Sequence, residues 1–167
     1  MTQDEIDAFW TDAKIVAGLN PTGFYMGTMP AEALQPPAWS FGASPQQADE
    51  LLRLVLAGTK TATASALWDY EAEDEPLPSV GTLSIVLDGE GHPRALIRTD
   101  EVRIVPFEEV DEEHARAEGE GTRTLAQWRA DHERYFRENA THERGFSPEM
   151  PVVLERFEVL YPAPEQR

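Results

Sequence analysis

The chain has no cysteine. This excludes disulfides, thiolate nucleophiles and cysteine-ligated zinc or iron–sulfur centres, and leaves stability to ordinary packing. Lysine is almost as scarce: of the 14 fixed cations only Lys14 and Lys60 are lysines, and all the others are arginines. No run of about 18 or more apolar residues occurs, so no segment reads as a membrane span. The start Met1-Thr2-Gln3-Asp4-Glu5 lacks the basic opening of a secretion signal, and a cytoplasmic protein is expected.

Acid is what the chain has in excess. A formal net charge of -17 over 167 residues argues against DNA or long RNA as a sequence-independent partner, because such binding rests on cations neutralising phosphates. The acids concentrate in Asp69-Tyr70-Glu71-Ala72-Glu73-Asp74-Glu75 and from Glu108 to Glu120, runs that read as solvated surface. A small neutral or cationic ligand fits this charge. The length suits one domain with a real hydrophobic core.

Apolar residues at Ile6, Phe9, Trp10, Ala13 and Val16 mark one face of a helix that Gly18 ends. Leu19 to Trp39 has no clear period and reads as a long irregular connection. Ser44-Pro45-Gln46-Gln47 combines a serine cap, a first-turn proline and a glutamine three residues after the cap. A helix therefore starts there, buries Ala48, Leu51, Leu52 and Val55, and closes at Gly58, so that Lys60 emerges just past its end. Thr82 to Leu87 reads as a strand, Asp88-Gly89-Glu90-Gly91 as a turn, and Arg94 to Val105 as one or two antiparallel strands. Val110 to Glu118 reads as a short helix broken by Gly119-Glu120-Gly121. A second capping box, Thr124-Leu125-Ala126-Gln127, opens another. There Leu125, Trp128, His132, Tyr135 and Phe136 form a core-facing stripe, and Met150 to Tyr161 closes the chain as a strand.

Lys60 stands out within Gly58-Thr59-Lys60-Thr61-Ala62-Thr63-Ala64-Ser65. A lysine, unlike an arginine, can lose its proton when burial disfavours its charge, so a lone lysine beside hydroxyls is a candidate base or oxyanion clamp. The plainer alternative makes Thr61, Thr63 and Ser65 ordinary strand residues. His114, His132 and His142 share no metal-ligand spacing and read as helix or loop histidines, without a metal. Trp68 and Tyr70 are either core aromatics or a stacking wall for a nucleobase. Arg53, Arg123 and Arg129 are either phosphate contacts or surface partners of acids.

Trp39-Ser40-Phe41-Gly42, the Lys60 segment, Glu118-Gly119-Glu120-Gly121, Trp128 with Tyr135-Phe136, and the ending Pro151 to Pro162 together resemble the ASCH domain family, over about Trp39 to Pro162. The resemblance implies an α+β domain over residues 39–162, a small PUA-like β-barrel of mainly antiparallel strands flanked by helices. Residues 1–38 would then be an added helix and connection, and residues 163–167 a tail. Some members of that family hydrolyse the amide of an acetylated cytidine nucleoside, others have been described as ribonucleases, and the fold is associated with RNA binding. In the amidohydrolase-like members a Lys-x-x-Thr motif is joined by a downstream glutamate, positions that fall here on Lys60, Thr63 and Glu118, with Glu120 as the alternative acid.

Amide hydrolysis needs a nucleophile, a base, oxyanion donors and an acid for the leaving amine, and none of these requires a cofactor. On this reading neutral Lys60 deprotonates Thr63 or a water held by it, and Glu118 orients the substrate or handles the leaving-group proton. Trp68, Tyr70, Ser65, Arg123 and Glu120 are the candidate substrate contacts. Residues three apart face opposite sides of a regular strand, so the Lys60–Thr63 pair requires a bend at Thr61-Ala62. The expected partner is a small nucleoside-type substrate, with a PUA-like RNA-binding module or a metal-independent ribonuclease as alternatives.

Overall fold

The structure, a computed structural model, describes residues 3–19 and 34–167; the connection expected from Leu19 to Trp39 falls mostly outside them. Among these residues there are five α-helices, α1 (Gln3–Val16), α2 (Pro45–Leu56), α3 (Leu67–Ala72), α4 (Glu112–Glu118) and α5 (Leu125–Asn139), and five strands. The strands are β1 (Ala38–Trp39), β2 (Ala62–Ala66), β3 (Leu83–Leu87), β4 (Pro93–Pro106) and β5 (Pro151–Tyr161), in the sheet order β1-β3-β4-β5-β2. The class is α+β, as expected. Among the described residues the sheet is mixed and open rather than closed into the expected barrel, with the two-residue β1 and the five-residue β2 as its ends. No helix among these residues is long and apolar enough to cross a membrane.

The chain gathers into two compact units: Met1–Leu56 with Leu83–Arg98 and Glu158–Arg167, and Ala57–Thr82 with Thr99–Phe157. In the first, β1 runs parallel to β3, and β3 pairs antiparallel with β4 from Leu83↔Arg98 to Val86↔Ala95. Its core joins Ile6, Trp10 and Ala13 of α1 to Leu83, Ile85 and Leu96 of the sheet. Of the α1 face that apolar spacing predicts, Ile6, Trp10 and Ala13 are buried, whereas Val16 at the helix end stays exposed. α2 starts as its capping signal implies, with Gln47 N–H donating to Ser44 Oγ at 3.1 Å and the Gln47 side chain accepting from Ala43 N–H at 2.8 Å.

In the second unit β2 pairs antiparallel with β5, Ala62↔Arg156 through Ala66↔Val152. Alternation sends Ala64, Ala66, Val152 and Leu154 to one face, where they pack with Phe107, Val110, Ala115, Trp128 and Phe136. Thr63, Ser65 and Glu155 take the other face. α3 occupies part of the acidic run read as solvated surface; although none of its residues is fully buried, Trp68 packs against this core.

α4 and the segment before β2 are stitched together at one point. Thr61 N–H donates to Ala117 O at 2.7 Å, so a carbonyl left over at the helix end finds its partner in the chain that carries Lys60. Gly119 then ends α4 in the left-handed region (φ 72°), and a Cβ built on it would collide with the Thr59 carbonyl. The Gly119→Ala variant is expected to lose about 1–3 kcal/mol in urea unfolding, from the strained backbone plus the displaced Thr59. A wild-type midpoint in that variant would show that this close approach does not matter to stability.

Candidate functional site

Helical periodicity assembles the site. On α4, His114 and Glu118 are four residues apart and share a face; on α5, Trp128 and His132 do the same. All four converge. Glu118 is 1 % exposed, and its Oε2 accepts from His114 Nε2 at 2.7 Å and from Trp128 Nε1 at 2.6 Å. Its Oε1 accepts from His132 Nε2 at 3.1 Å and lies 3.5 Å from Lys60 Nζ. A carboxylate has about four lone-pair sites, so three hydrogen bonds and the adjacent ammonium nearly saturate it.

The ring atoms define the protons. His132 Nδ1 lies 2.9 Å from the Trp128 carbonyl and Nε2 faces Glu118, so both nitrogens point at acceptors, an arrangement that favours the imidazolium. It lies stacked on the Trp128 ring, centroids 4.1 Å apart and planes 14° from parallel, where a cation is favoured. His114 Nδ1, in contrast, is buried without a hydrogen-bond partner.

Lys60 is 2 % exposed. Its ammonium donates to Ala62 O at 2.9 Å and to Glu120 Oε2 at 2.8 Å, besides its ion pair with Glu118. Phe157 N–H donates to Thr61 O across the β2–β5 ladder, so strand alternation turns the next carbonyl, that of Ala62, toward the free edge where Lys60 takes it. Glu120 follows the Gly119 turn and is the acid of the cluster that reaches solvent, its side chain 28 % exposed. Two cations, Lys60 and His132, thus face two carboxylates. Burial alone would raise the Glu118 carboxyl, but the charges of His132 and Lys60 and the histidine hydrogen bonds hold it well below the usual carboxylate range. Burial likewise opposes the His132 charge, and Glu118 overcomes it and raises that group.

The structure rearranges the site read from the sequence. Lys60, Glu118 and Glu120 come together. Thr63 lies within the regular β2 ladder, directly across from Glu155, and Lys60 and Thr61 precede that strand. Glu118 is buried and accepts three hydrogen bonds, and the Lys60 side chain faces three oxygens. Arg123 caps α4 by donating twice to Arg116 O, at 3.1 and 3.0 Å, and Arg129 bonds Glu108 O at 2.9 Å. The Trp68 face is covered by the Arg144 guanidinium 4.7 Å away and its edge by His142, while half-buried Tyr70 bonds the Ser65 hydroxyl. Neither aromatic is a bare stacking wall.

His114, Trp128 and His132 are the partners that sequence reading missed, since it took the histidines singly and Trp128 as core. The signal was there in two i,i+4 pairs, His-x-x-x-Glu and Trp-x-x-x-His. Glu118, Glu120 and His132 also present ligand atoms within 4.8 Å of one another, as a metal site would. Here the Lys60 ammonium supplies the positive charge between the two carboxylates.

The ASCH domain model matches residues 37–161. A crystal structure of the protein EF3133 from Enterococcus faecalis V583 superposes with a TM-score of 0.80 at 36% identity, covering 95% of this chain and 89% of that one. An ASCH domain from Lactobacillus crispatus JV V101 gives 0.79 at 27% identity, with 96% of each chain covered. No curated protein matches the chain.

The buried pairs make stability depend on pH in a defined way. His132, raised in the folded state, contributes fully below its ordinary value of 6.5, and the contribution is lost as pH rises through the folded value. Glu118, lowered, contributes fully above 4.5, and its contribution is lost as pH falls through the folded value. Thermal midpoints should therefore be highest between pH 4.5 and 6.5. A His132→Gln variant should lose the alkaline fall; if the fall persists unchanged in it, His132 is not its source.

Proposed function

The chain belongs to the ASCH domain family, whose PUA-like members have been proposed to bind RNA or to act as hydrolases, and on that premise we propose that it hydrolyses the amide of a small acetylated pyrimidine nucleoside of the acetylcytidine type. The observation that carries this reading is the contact of the Lys60 ammonium with Glu120, 2.8 Å, in which a buried cation holds the one acid of the cluster that reaches solvent. Glu120 is the general base: it takes a proton from water as the oxygen attacks the acetyl carbon. Lys60, whose donors face Ala62 O, Glu120 and Glu118, favours the negative charge that develops on the carbonyl oxygen through its own charge. The C–N bond then breaks as Glu120 returns its proton to the leaving amine, giving acetate and the free amino group. Glu118, with His132, His114 and Trp128, fixes the position of Lys60 and does not touch substrate.

The acidic surface supports a neutral substrate over a polyanion. Thr63 takes no part in this sequence of steps, which distinguishes it from a route in which a lysine-activated threonine attacks.

Acetate release from acetylcytidine should fall about 10²–10⁴-fold in Glu120→Gln and in Lys60→Ala. In Thr63→Ala it should stay within a few-fold of the parent, and intact thermal midpoints would show that the variants are folded. Loss of turnover in Thr63→Ala with full retention in Glu120→Gln would replace Glu120 by Thr63 in the mechanism. Absence of deacetylation in the parent, with Lys60-dependent cleavage of mixed RNA, would overturn the amidohydrolase in favour of a ribonuclease. Salt-sensitive RNA binding without turnover would favour a binding module instead.

A further inference from the structure

The face of β2 and β5 turned away from the Ala64–Leu154 core carries a second group of polar side chains. Register sets Thr63 directly across from Glu155, and such cross-strand pairs have Cβ atoms about 4.5–5.5 Å apart. From β4, the buried Thr99 donates its hydroxyl to Glu155 Oε1 at 3.1 Å. From α3, Tyr70 bonds the Ser65 hydroxyl and lies close enough to Glu155 to sense its charge. Thr63, Ser65, Tyr70 and Glu155 are each half-buried, so one carboxyl sits among hydroxyl groups that are reachable from outside but poorly hydrated.

A carboxyl in such surroundings gains from being neutral. Burial raises Glu155 above the ordinary value, opposed by the Thr99 bond. In the neutral acid that bond has a geometric consequence: Thr99 donates to Oε1, which marks Oε1 as the carbonyl oxygen and leaves the proton on Oε2. The group then presents an O–H donor beside a C=O acceptor. A lactam, with N–H beside C=O, is its complement, forming two parallel hydrogen bonds with no charge on either partner.

We propose that Glu155, flanked by Thr63 and Ser65, is a binding site for the lactam edge of a small neutral ring, separate from the Lys60 cluster. The site requires no hydrolysis and stands apart from the amidohydrolase reading. The excess of acid over the chain disfavours an anionic occupant and leaves a neutral one unaffected. Affinity should rise as Glu155 takes up its proton. Of the groups around it, Thr63 and Ser65 of β2 and Thr99 of β4 do not titrate, and Tyr70 of α3 is held above 10.0 by burial and by Glu155, Glu75 and Asp69.

The probe is 2-pyridone, titrated into the full chain and followed by amide NMR shifts, with N-methyl-2-pyridone, which lacks the N–H, as control. Saturable shifts are expected at Thr63, Ser65 and Glu155, about tenfold tighter at about pH 5 than at about pH 8, with none from the methylated ring. Glu155→Gln keeps a donor beside an acceptor, so it should retain binding and lose the pH dependence, whereas Glu155→Ala should lose binding. Absence of saturable shifts in the parent, equal binding of the methylated probe, or a pH dependence that survives in Glu155→Gln would each overturn the proposal. The parent titrations alone decide it if a variant fails to fold.

Discussion

The second unit of the chain is organised around one buried carboxylate. Removing an ionised carboxyl from water costs several kcal/mol even after relaxation, and only a nearly complete set of donors offsets that. Glu118 has such a set: two nitrogens on Oε2, one on Oε1, and the Lys60 ammonium beside it. Each donor comes from a different place, the Lys60 segment before β2, the preceding turn of α4, and two turns of α5. Satisfying the one acid therefore fixes where these pieces stand. It also favours the charge of His132, since the carboxylate draws a second proton onto that ring. The cluster is electrically balanced, two acids against two cations, within a chain whose formal charge is -17.

What was legible in the sequence was whatever local chemistry decides. The α2 and α5 starts follow from Ser44 and Thr124, whose hydroxyls accept the N–H groups of Gln47 and Gln127. β3 and β5 follow from alternation and branching, and the bulk of α1 from its apolar spacing. α3 was not legible, because its acidic composition looks like surface and its helix is held by tertiary contacts of Trp68 and by Asp69, which accepts from Thr141 N–H at 2.8 Å across the fold. Lys60 was found through the scarcity of lysine and its hydroxyl neighbours, Glu118 through the family resemblance, and the two are in contact. The place of Thr63 in a regular ladder opposite Glu155 is set by pairing with β5, a partner some ninety residues later that no local pattern encodes. His132 illustrates the opposite failure. Its i,i+4 spacing to Trp128 was visible, but a stripe of aromatic and histidine residues is ordinarily core, and only the carboxylate at its end distinguishes this one.

The two faces of β2 divide the chemistry. One carries alanines against the aromatic core, with Lys60 reaching the strand edge; the other carries hydroxyls against a half-buried acid. Small residues at Ala62, Ala64 and Ala66 let the α4–α5 layer approach closely, and the helix ends that bear Glu118 and Glu120 come near enough for a lysine to bridge them. The alternation Thr-Ala-Thr-Ala-Ser-Ala is thus a packing pattern on one side and a polar one on the other. A motif that reads as one functional string along the sequence is separated by the pleat into two environments.

The identity of the cation at position 60 then has a geometric reason. Everywhere but Lys14 and Lys60 the chain uses arginine. A guanidinium is a flat fork whose donors lie in one plane and suit acceptors lying in that plane; in Arg123 two of them close on the single Arg116 carbonyl oxygen. The oxygens at the end of Lys60 come from a strand-edge carbonyl, a buried helix-end carboxylate and a carboxylate beyond the Gly119 turn, and they surround a point. An ammonium, compact and with three donors spread about its axis, meets such a set; an arginine would need both more length and coplanar partners. The single lysine of this unit is therefore required by the placement of its acceptors.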